Sequence, residues 1–273
     1  MILIRQPFFI TMKEELKQQL ITLADKYENS DFIIADPSQF LYHYKEPKDA
    51  ETASFVAALL SFGNRKQFIP KIKEIFSLAD KAGGFAKWLT SSSFESDFKS
   101  PDGNPDKKFY RFYSYEDLLI LFRSLLKILK ESNSLGEHFK NLFEKNIRSN
   151  KNKSLAEIIS DSFPECTIVP KGKSSPNKRI QMYLRWMVRK NSPVDLGLWN
   201  WYSPSKLLIP LDTHVLQQAK NLGLIPENST ASLKTAVIIT EKLKEIWPDD
   251  PCKGDFALFG LGVNSKNTTG ETT

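Results

Sequence analysis

The chain predicts an all-α protein. Apolar residues recur at helical spacing along almost its whole length, and no alternating strand pattern lasts more than a few residues. No internal repeat, G-x-G-x-x-G fingerprint or P-loop is present, so neither a solenoid nor a phosphate-binding α/β sheet is indicated.

The elements follow in order. Leu16, Leu20, Leu23 and Ala24 lie on one face of a first helix, and a turn follows at Glu28 to Asp31. Pro37 suits the first turn of a short helix ending near Tyr44. From Glu51 to Phe62 the chain is apolar enough for a buried central helix, closed by Gly63. Pro70 is expected to start the next helix, with Ile72, Ile75, Phe76 and Leu78 inward. Residues 91–108 are polar, carry Pro and Gly, and are expected to be a mobile connection. Helices resume over Tyr115 to Lys130, Leu135 to Ile147 and Leu155 to Ile159. Segment 164–177, with Pro164, Pro170, Gly172 and Pro176, reads as an irregular loop leading into a basic helix that ends near Lys190. A Pro- and Trp-bearing connection from Pro193 to Pro210 precedes a helix opened by Asp212. The last two helices are expected over Ala231 to Trp247 and Lys253 to Leu261. The domain organisation expected is a lead-in with the first helix (1–29), a first helical lobe (30–165), a second lobe (166–263) and a disordered tail (264–273).

Composition narrows the function classes. At 273 residues the chain can bury one large core or two smaller ones. Its two cysteines, Cys166 and Cys252, form no Cys-x-x-Cys pair, which excludes a zinc ribbon and a four-cysteine iron–sulfur cluster. The three histidines do not cluster, and no metal or other cofactor is expected. The N-terminal segment lacks a signal-peptide pattern, and no stretch approaches the ~20 apolar residues of a membrane span. A cytoplasmic protein without membrane contact is expected, with its oligomeric state open and a monomer favoured. Net charge is +6, and seven cations (Lys171, Lys173, Lys178, Arg179, Arg185, Arg189 and Lys190) fall in residues 171–190 without one acid. That concentration points to a polyanionic partner, DNA or RNA.

Within this segment Arg185 and Arg189 lie within roughly 20° of Lys178 around the helix axis, beside an apolar stripe of Ile180, Tyr183, Leu184 and Met187. A cationic edge of this kind suits phosphates, although it is also what a solvated basic face looks like. Lys178 stands at the helix entrance, where it could contact phosphate or act as an amine nucleophile. Asp212 precedes Thr-His-Val-Leu and is a good N-cap worth about 1 kcal/mol. A carboxylate held there could also stabilise a cationic sugar as a base departs. Trp186, Trp199, Trp201 and the cluster Phe109, Tyr110, Phe112, Tyr113 and Tyr115 could stack on an extruded base, but their spacing is that of core residues. DPCKGDFALFGLG reads as a buried terminal helix with a glycine-mediated close contact.

The succession of PNKRIQMYLR and LDTHV resembles the helix-hairpin-helix DNA glycosylase superfamily, and PNKRIQMYLR is similar to a segment of its archaeal-type 8-oxoguanine branch. The resemblance implies a two-lobed helical fold with a basic cleft between lobes. Lys178 would be the Schiff-base nucleophile and Asp212 the assisting carboxylate. ALLSFGNRKQ at 58–67 looks like the segment whose polar residue fills the gap left by the flipped base, which makes Asn64 and Arg65 candidates. Lys171, Lys173, Arg179, Arg185 and Arg189 would bind DNA. LRWMVR, PLDTHV and DFALFGLG are also similar to a bacterial family of unassigned function, over about residues 30–264. The glycine-rich hairpin of the glycosylases is replaced by KGKSSPNK. The expectation is a base-excision DNA glycosylase, with or without lyase activity, acting on damaged duplex DNA at the nucleoid. The alternatives are a non-catalytic DNA- or RNA-binding protein on the same scaffold and a helical interaction protein indifferent to nucleic acid.

Overall fold

The computed structural model describes residues 12–34 and 36–269, side chains beyond Gly262 excepted, and is mostly helical. Helices α1 (Glu14–Tyr27) and α2 (Asp31–Ile34) are followed by a 3-10 turn over Pro37–Phe40, capped by Asp36 accepting from the Ser38 amide. Helix α3 (Pro47–Leu60) is buried at every residue from Ala50 to Leu60, as its unbroken apolar run requires. Helix α4 (Arg65–Lys81) begins at an Asn64 N-cap, so Pro70 lies inside it rather than at its start. The cap fixes the first turn, and the Pro70 ring then leaves the Lys66 carbonyl without its helical donor.

Helices α5 (Phe85–Thr90) and α6 (Phe94–Asp97) lead to a small antiparallel hairpin, β1 (Lys108–Tyr110) and β2 (Tyr113–Ser114). The expected mobile connection over 91–108 is thus partly folded. Phe94 and Phe98 are buried in edge contacts with the Phe122 ring, so two apolar residues outweigh a polar composition. A Ser114–Asp117 capping box starts α7 (Tyr115–Glu131), and α8 (Leu135–Arg148) and α9 (Leu155–Asp161) follow. After an irregular loop come α10 (Lys178–Val188), α11 (Thr213–Asn221), α12 (Leu233–Leu243) and α13 (Gly254–Thr269). The tail expected from Asn264 begins inside α13. Residues 270–273 and the lead-in 1–11 lie outside the described residues.

Two apolar cores result. The first gathers α3 to α10 around Phe55, Trp88, Phe122, Tyr183 and Trp186, and extends to Trp199 and Leu207. The second gathers α1 with α11, α12 and α13 through Leu20, Ala24, Leu211, Val215, Leu243 and Leu258. Helix α10 places Ile180, Tyr183, Leu184 and Met187 in the first core, to which Cys252 also belongs, and the second takes Ile209 and Leu211. The first helix returns onto the last, where Gly260 lets the Tyr27 ring approach the α13 backbone. One buried acid fastens the first core: Glu51 on α3 accepts from the Gly136 amide at 2.9 Å and from Trp199 Nε1 at 3.0 Å. Burial pushes its carboxyl above the usual range, while these donors act to hold it down.

Candidate active site

Helix α10 starts in an unusual way. Asn177, at its N-cap, is 7% exposed and adopts the left-handed conformation with φ 47° and ψ 46°, which Asn tolerates better than most residues. Its side chain does not cap the helix, and its buried Oδ1 has no partner among the described residues. Its backbone N–H donates to Ser175 Oγ at 3.2 Å. The amides of Lys178 and Arg179 meet no acceptor among the described residues. A left-handed residue followed by helix turns successive N–H groups toward one point, and such a concavity favours an anion. The loop that delivers this turn is held to α12 by the Leu233 amide donating to the Ser174 carbonyl at 2.8 Å.

From this entrance two neighbouring cations diverge. Arg179 reaches the first core, where Nη1 donates to the Leu59 carbonyl at 2.7 Å and to Tyr113 Oη at 3.1 Å. Its guanidinium lies 5.0 Å from the Phe62 ring centroid, so it pegs α10 to the end of α3. Lys178 faces the second core instead. Its Nζ is 3.7 Å from Asp212 Oδ2, with the two side chains 32% and 35% exposed. Asp212 divides its oxygens between two tasks. Oδ1 accepts from the His214 and Val215 amides at 3.0 and 2.9 Å, capping α11, and Oδ2 is the oxygen nearer the lysine. The N-cap expectation and the pairing with Lys178 therefore coexist at one residue.

Asp255 lies in the segment that the sequence reads as a buried terminal helix, and it was given no site role there. It sits in the first turn of α13, 13% exposed, and its carboxylate takes a hydrogen bond from Arg185 Nη1. Burial pushes its pKa up to about 6, opposed by Arg185 and reinforced by the charge of Asp212. Lys178 also acts on it electrostatically, so a lysine, two carboxylates and an arginine converge where the two cores meet. The only local signal was an acid opening an otherwise apolar helix, which also describes ordinary helix-dipole placement.

The structure overturns the phosphate-contact role expected of Arg185 and Arg189. Their side chains are 4% and 2% exposed. Arg185 Nε is 3.3 Å from Asp195, and Arg189 is bound by Asp195 at 2.6 Å and Asp250 at 2.8 Å. Glu28 Oε1 lies 2.7 Å from Arg189 Nη2 as an ion pair, but out of line for a hydrogen bond. Desolvation acts against both cationic forms, and the surrounding acids more than offset it, holding both guanidinium pKa values above the ordinary one. The Phe256 ring lies 4.7 and 5.3 Å from the two guanidinium carbons. The stripe shared with Lys178 is real, but it turns inward because its acids come from positions 28, 195, 250 and 255.

The other expected DNA contacts fare unevenly. Lys171 is occupied, donating to the Phe163 and Pro164 carbonyls after α9. Lys173 is exposed and has no acidic partner among the described residues. Asn64 is exposed, but its Oδ1 caps α4 by accepting from the Lys66 amide at 2.8 Å. Arg65 lies 3.6 Å from Asp36 and 6.0 Å from the Phe259 ring on α13, which brings it to the same side of the molecule as Asp255. Trp186 and Trp199 are buried, and of the aromatic cluster over 109–115 only Phe112 is exposed.

A separate concavity lies elsewhere. A cavity of about 540 Å³ between α7, α8 and α9 is lined by Lys127, Glu131, His138, Lys145 and Asp161 among others. Its lining mixes charges of both signs, including an exposed Lys153–Asp161 ion pair at 2.7 Å. Among the described residues, no group of three or more His, Cys, Asp or Glu is placed to hold a metal ion. Nor, among them, is any helix long and apolar enough to cross a membrane. Residues 36–264 match the model of a family described as a protein of unknown function, DUF2400, and the chain belongs to that family. No curated protein and no solved structure matches it.

Proposed function

We propose that this DUF2400 protein is a DNA base-excision glycosylase with lyase capability, in which Lys178 is the nucleophile and Asp212 the assisting carboxylate. The observation that carries the proposal is the 3.7 Å approach of a partly exposed lysine amine to a partly exposed carboxylate, each at a helix N-terminus. The free amides of Lys178 and Arg179 would hold a DNA phosphate beside the reacting sugar.

The chemistry follows from these positions. Ionised Asp212 stabilises the positive charge that develops on the deoxyribose as the C1′–base bond breaks, and the base leaves with a proton. The neutral amine of Lys178, having given a proton to Asp255, forms the N–C1′ bond, and the proton then lost from that nitrogen passes to O4′. Opening of the C1′–O4′ bond then gives an iminium. Loss of a C2′ proton from that species expels the 3′ phosphate as the lyase step, and water releases the lysine. The reaction as written needs neither metal nor organic cofactor.

Borohydride trapping tests it, using duplexes that carry an abasic site, 8-oxoguanine, uracil or alkylated bases. Wild type is expected to form a covalent adduct that Lys178→Gln does not. A second reading, a DNA- or RNA-binding protein without catalysis, is favoured by one observation: Arg185 and Arg189 serve an internal ion cluster and Asp212 caps a helix, as in a structural scaffold. Salt-sensitive binding, with no adduct and no released base on any substrate, would establish that reading instead.

A further inference from the structure

The tip of the β1–β2 hairpin presents an aromatic ring to solvent beside the start of α10. Phe112 is 57% exposed, although every other aromatic from Phe109 to Tyr115 is buried. Its ring is held from behind, at 4.5 Å edge-on to Tyr113 and 5.3 Å from Phe62. The backbone is fixed as well. Arg111 takes a left-handed φ of 51°, the pairing register is irregular between Lys108 and Tyr110, and Lys108 Nζ donates to the Phe112 carbonyl at 2.9 Å. An exposed ring on a rigid support offers a face without the entropic cost of ordering it.

Its neighbours are cations. Arg111 lies 5.5 Å from the Phe62 ring, over Gly63, where a Cβ would collide with its guanidinium. Arg179, next in sequence to Lys178, bonds the Tyr113 hydroxyl behind Phe112. The fold thus sets an aromatic face among Lys108, Arg111 and Arg179 on the first-core side of the α10 entrance, whose other side carries Lys178. That combination of ring and flanking positive charge fits a nucleobase carried on a phosphate backbone. Asn64 and Arg65 fit the task less well, because Asn64 is committed to capping α4 and Arg65 to Asp36 and Phe259.

We propose that Phe112 is the surface on which an unpaired DNA base stacks beside the nucleotide presented to Lys178. The choice of DNA rests on the glycosylase reading; the stacking surface itself requires no catalysis. In an intact duplex every base already has stacked neighbours, so the ring gains nothing there. Where one nucleotide lacks its base, the partner base is free to stack on it.

Equilibrium binding to two labelled duplexes tests this, one intact and one carrying a tetrahydrofuran abasic analogue. Phe112→Ala is expected to weaken affinity for the abasic duplex by roughly 5- to 150-fold. Affinity for the intact duplex and the salt dependence on both should stay unchanged, since the ring carries no charge. Phe112→Trp should retain the preference, and circular dichroism of each variant checks folding. Equal affinity of Phe112→Ala and wild type for the abasic duplex overturns the proposal, as does an equal loss on both duplexes. Lys178→Gln should keep the preference. A Phe112-dependent preference without any borohydride adduct would retain the stacking surface and remove the glycosylase reading. An adduct formed normally, with affinity indifferent to Phe112, would do the reverse.

Discussion

Replacing Arg189 by methionine separates an internal role for this residue from a role on DNA. The guanidinium is 2% exposed and is shared by Asp195 at 2.6 Å, Asp250 at 2.8 Å and Glu28 at 2.7 Å. Methionine keeps much of the volume and flexibility, so the main loss is electrostatic rather than a cavity. Asp250, with its side chain 28% exposed, can rehydrate, and Asp195 retains Arg185. Glu28, 9% exposed, is left as a buried charge with no cation, and breaking a buried pair in this way costs about 3–5 kcal/mol. Set against a typical native stability of 5–15 kcal/mol, that is a large fraction. Arg189→Lys should recover only part of it, since one ammonium cannot reproduce a fork that spans three acids. The assay is urea denaturation followed by far-UV circular dichroism, with urea chosen because guanidinium is itself a salt. A stability loss below about 1 kcal/mol, together with a salt slope for DNA binding reduced by about 0.9, would return Arg189 to the phosphate-contacting edge and refute the reasoning.

Asp212→Asn should keep the cap of α11 while slowing excision, whereas Asp212→Ala should also lose about 1 kcal/mol of stability; single-turnover kinetics and melting separate the two effects. Asp255 has a folded pKa of about 6 against an ordinary 3.8, so its contribution to stability is fully present below about 3.8 and is lost as pH rises through 6. That contribution amounts to about 3 kcal/mol, and Asp255→Asn should flatten the stability profile between those limits. Because protonated Asp255 cannot take a proton from Lys178, excision should also fall below about pH 6 in wild type and lose that limb in Asp255→Asn. Gly136→Ala would place a Cβ 2.6 Å from Trp199 Nε1 and 2.8 Å from Glu51 Oε1, breaking the Glu51 clasp. It should cost at least about 2 kcal/mol, read from denaturation and a changed tryptophan emission.

How much was legible in the chain depended on the range of the interaction. Helices α7, α8 and α9 carry Ser caps and a clear apolar period, and their expected starts agree with the structure. The buried centre over α3 was equally plain, because a run of small and apolar residues leaves no polar face. Pro70 misled because a proline marks a helix start only when no better cap precedes it, and Asn64 does. The polar connection over 91–108 misled because average composition conceals two phenylalanines that a core can use.

The candidate site divides along the same line. Lys178 at a helix entrance and Asp212 as an N-cap are local features, fixed by residues within one turn, and the amino-acid order alone determined them. It also determined the helical class and the clustering of positive charge at 171–190. Only the tertiary structure decided that Lys178 and Asp212 meet at 3.7 Å, that Asp255 joins them, and that Arg185 and Arg189 turn inward. The physical reason is that helical periodicity gives the direction of a side chain around its own axis but not what stands opposite. For α10, carboxylates supplied by four positions outside the helix decide whether a cationic stripe faces solvent or is buried.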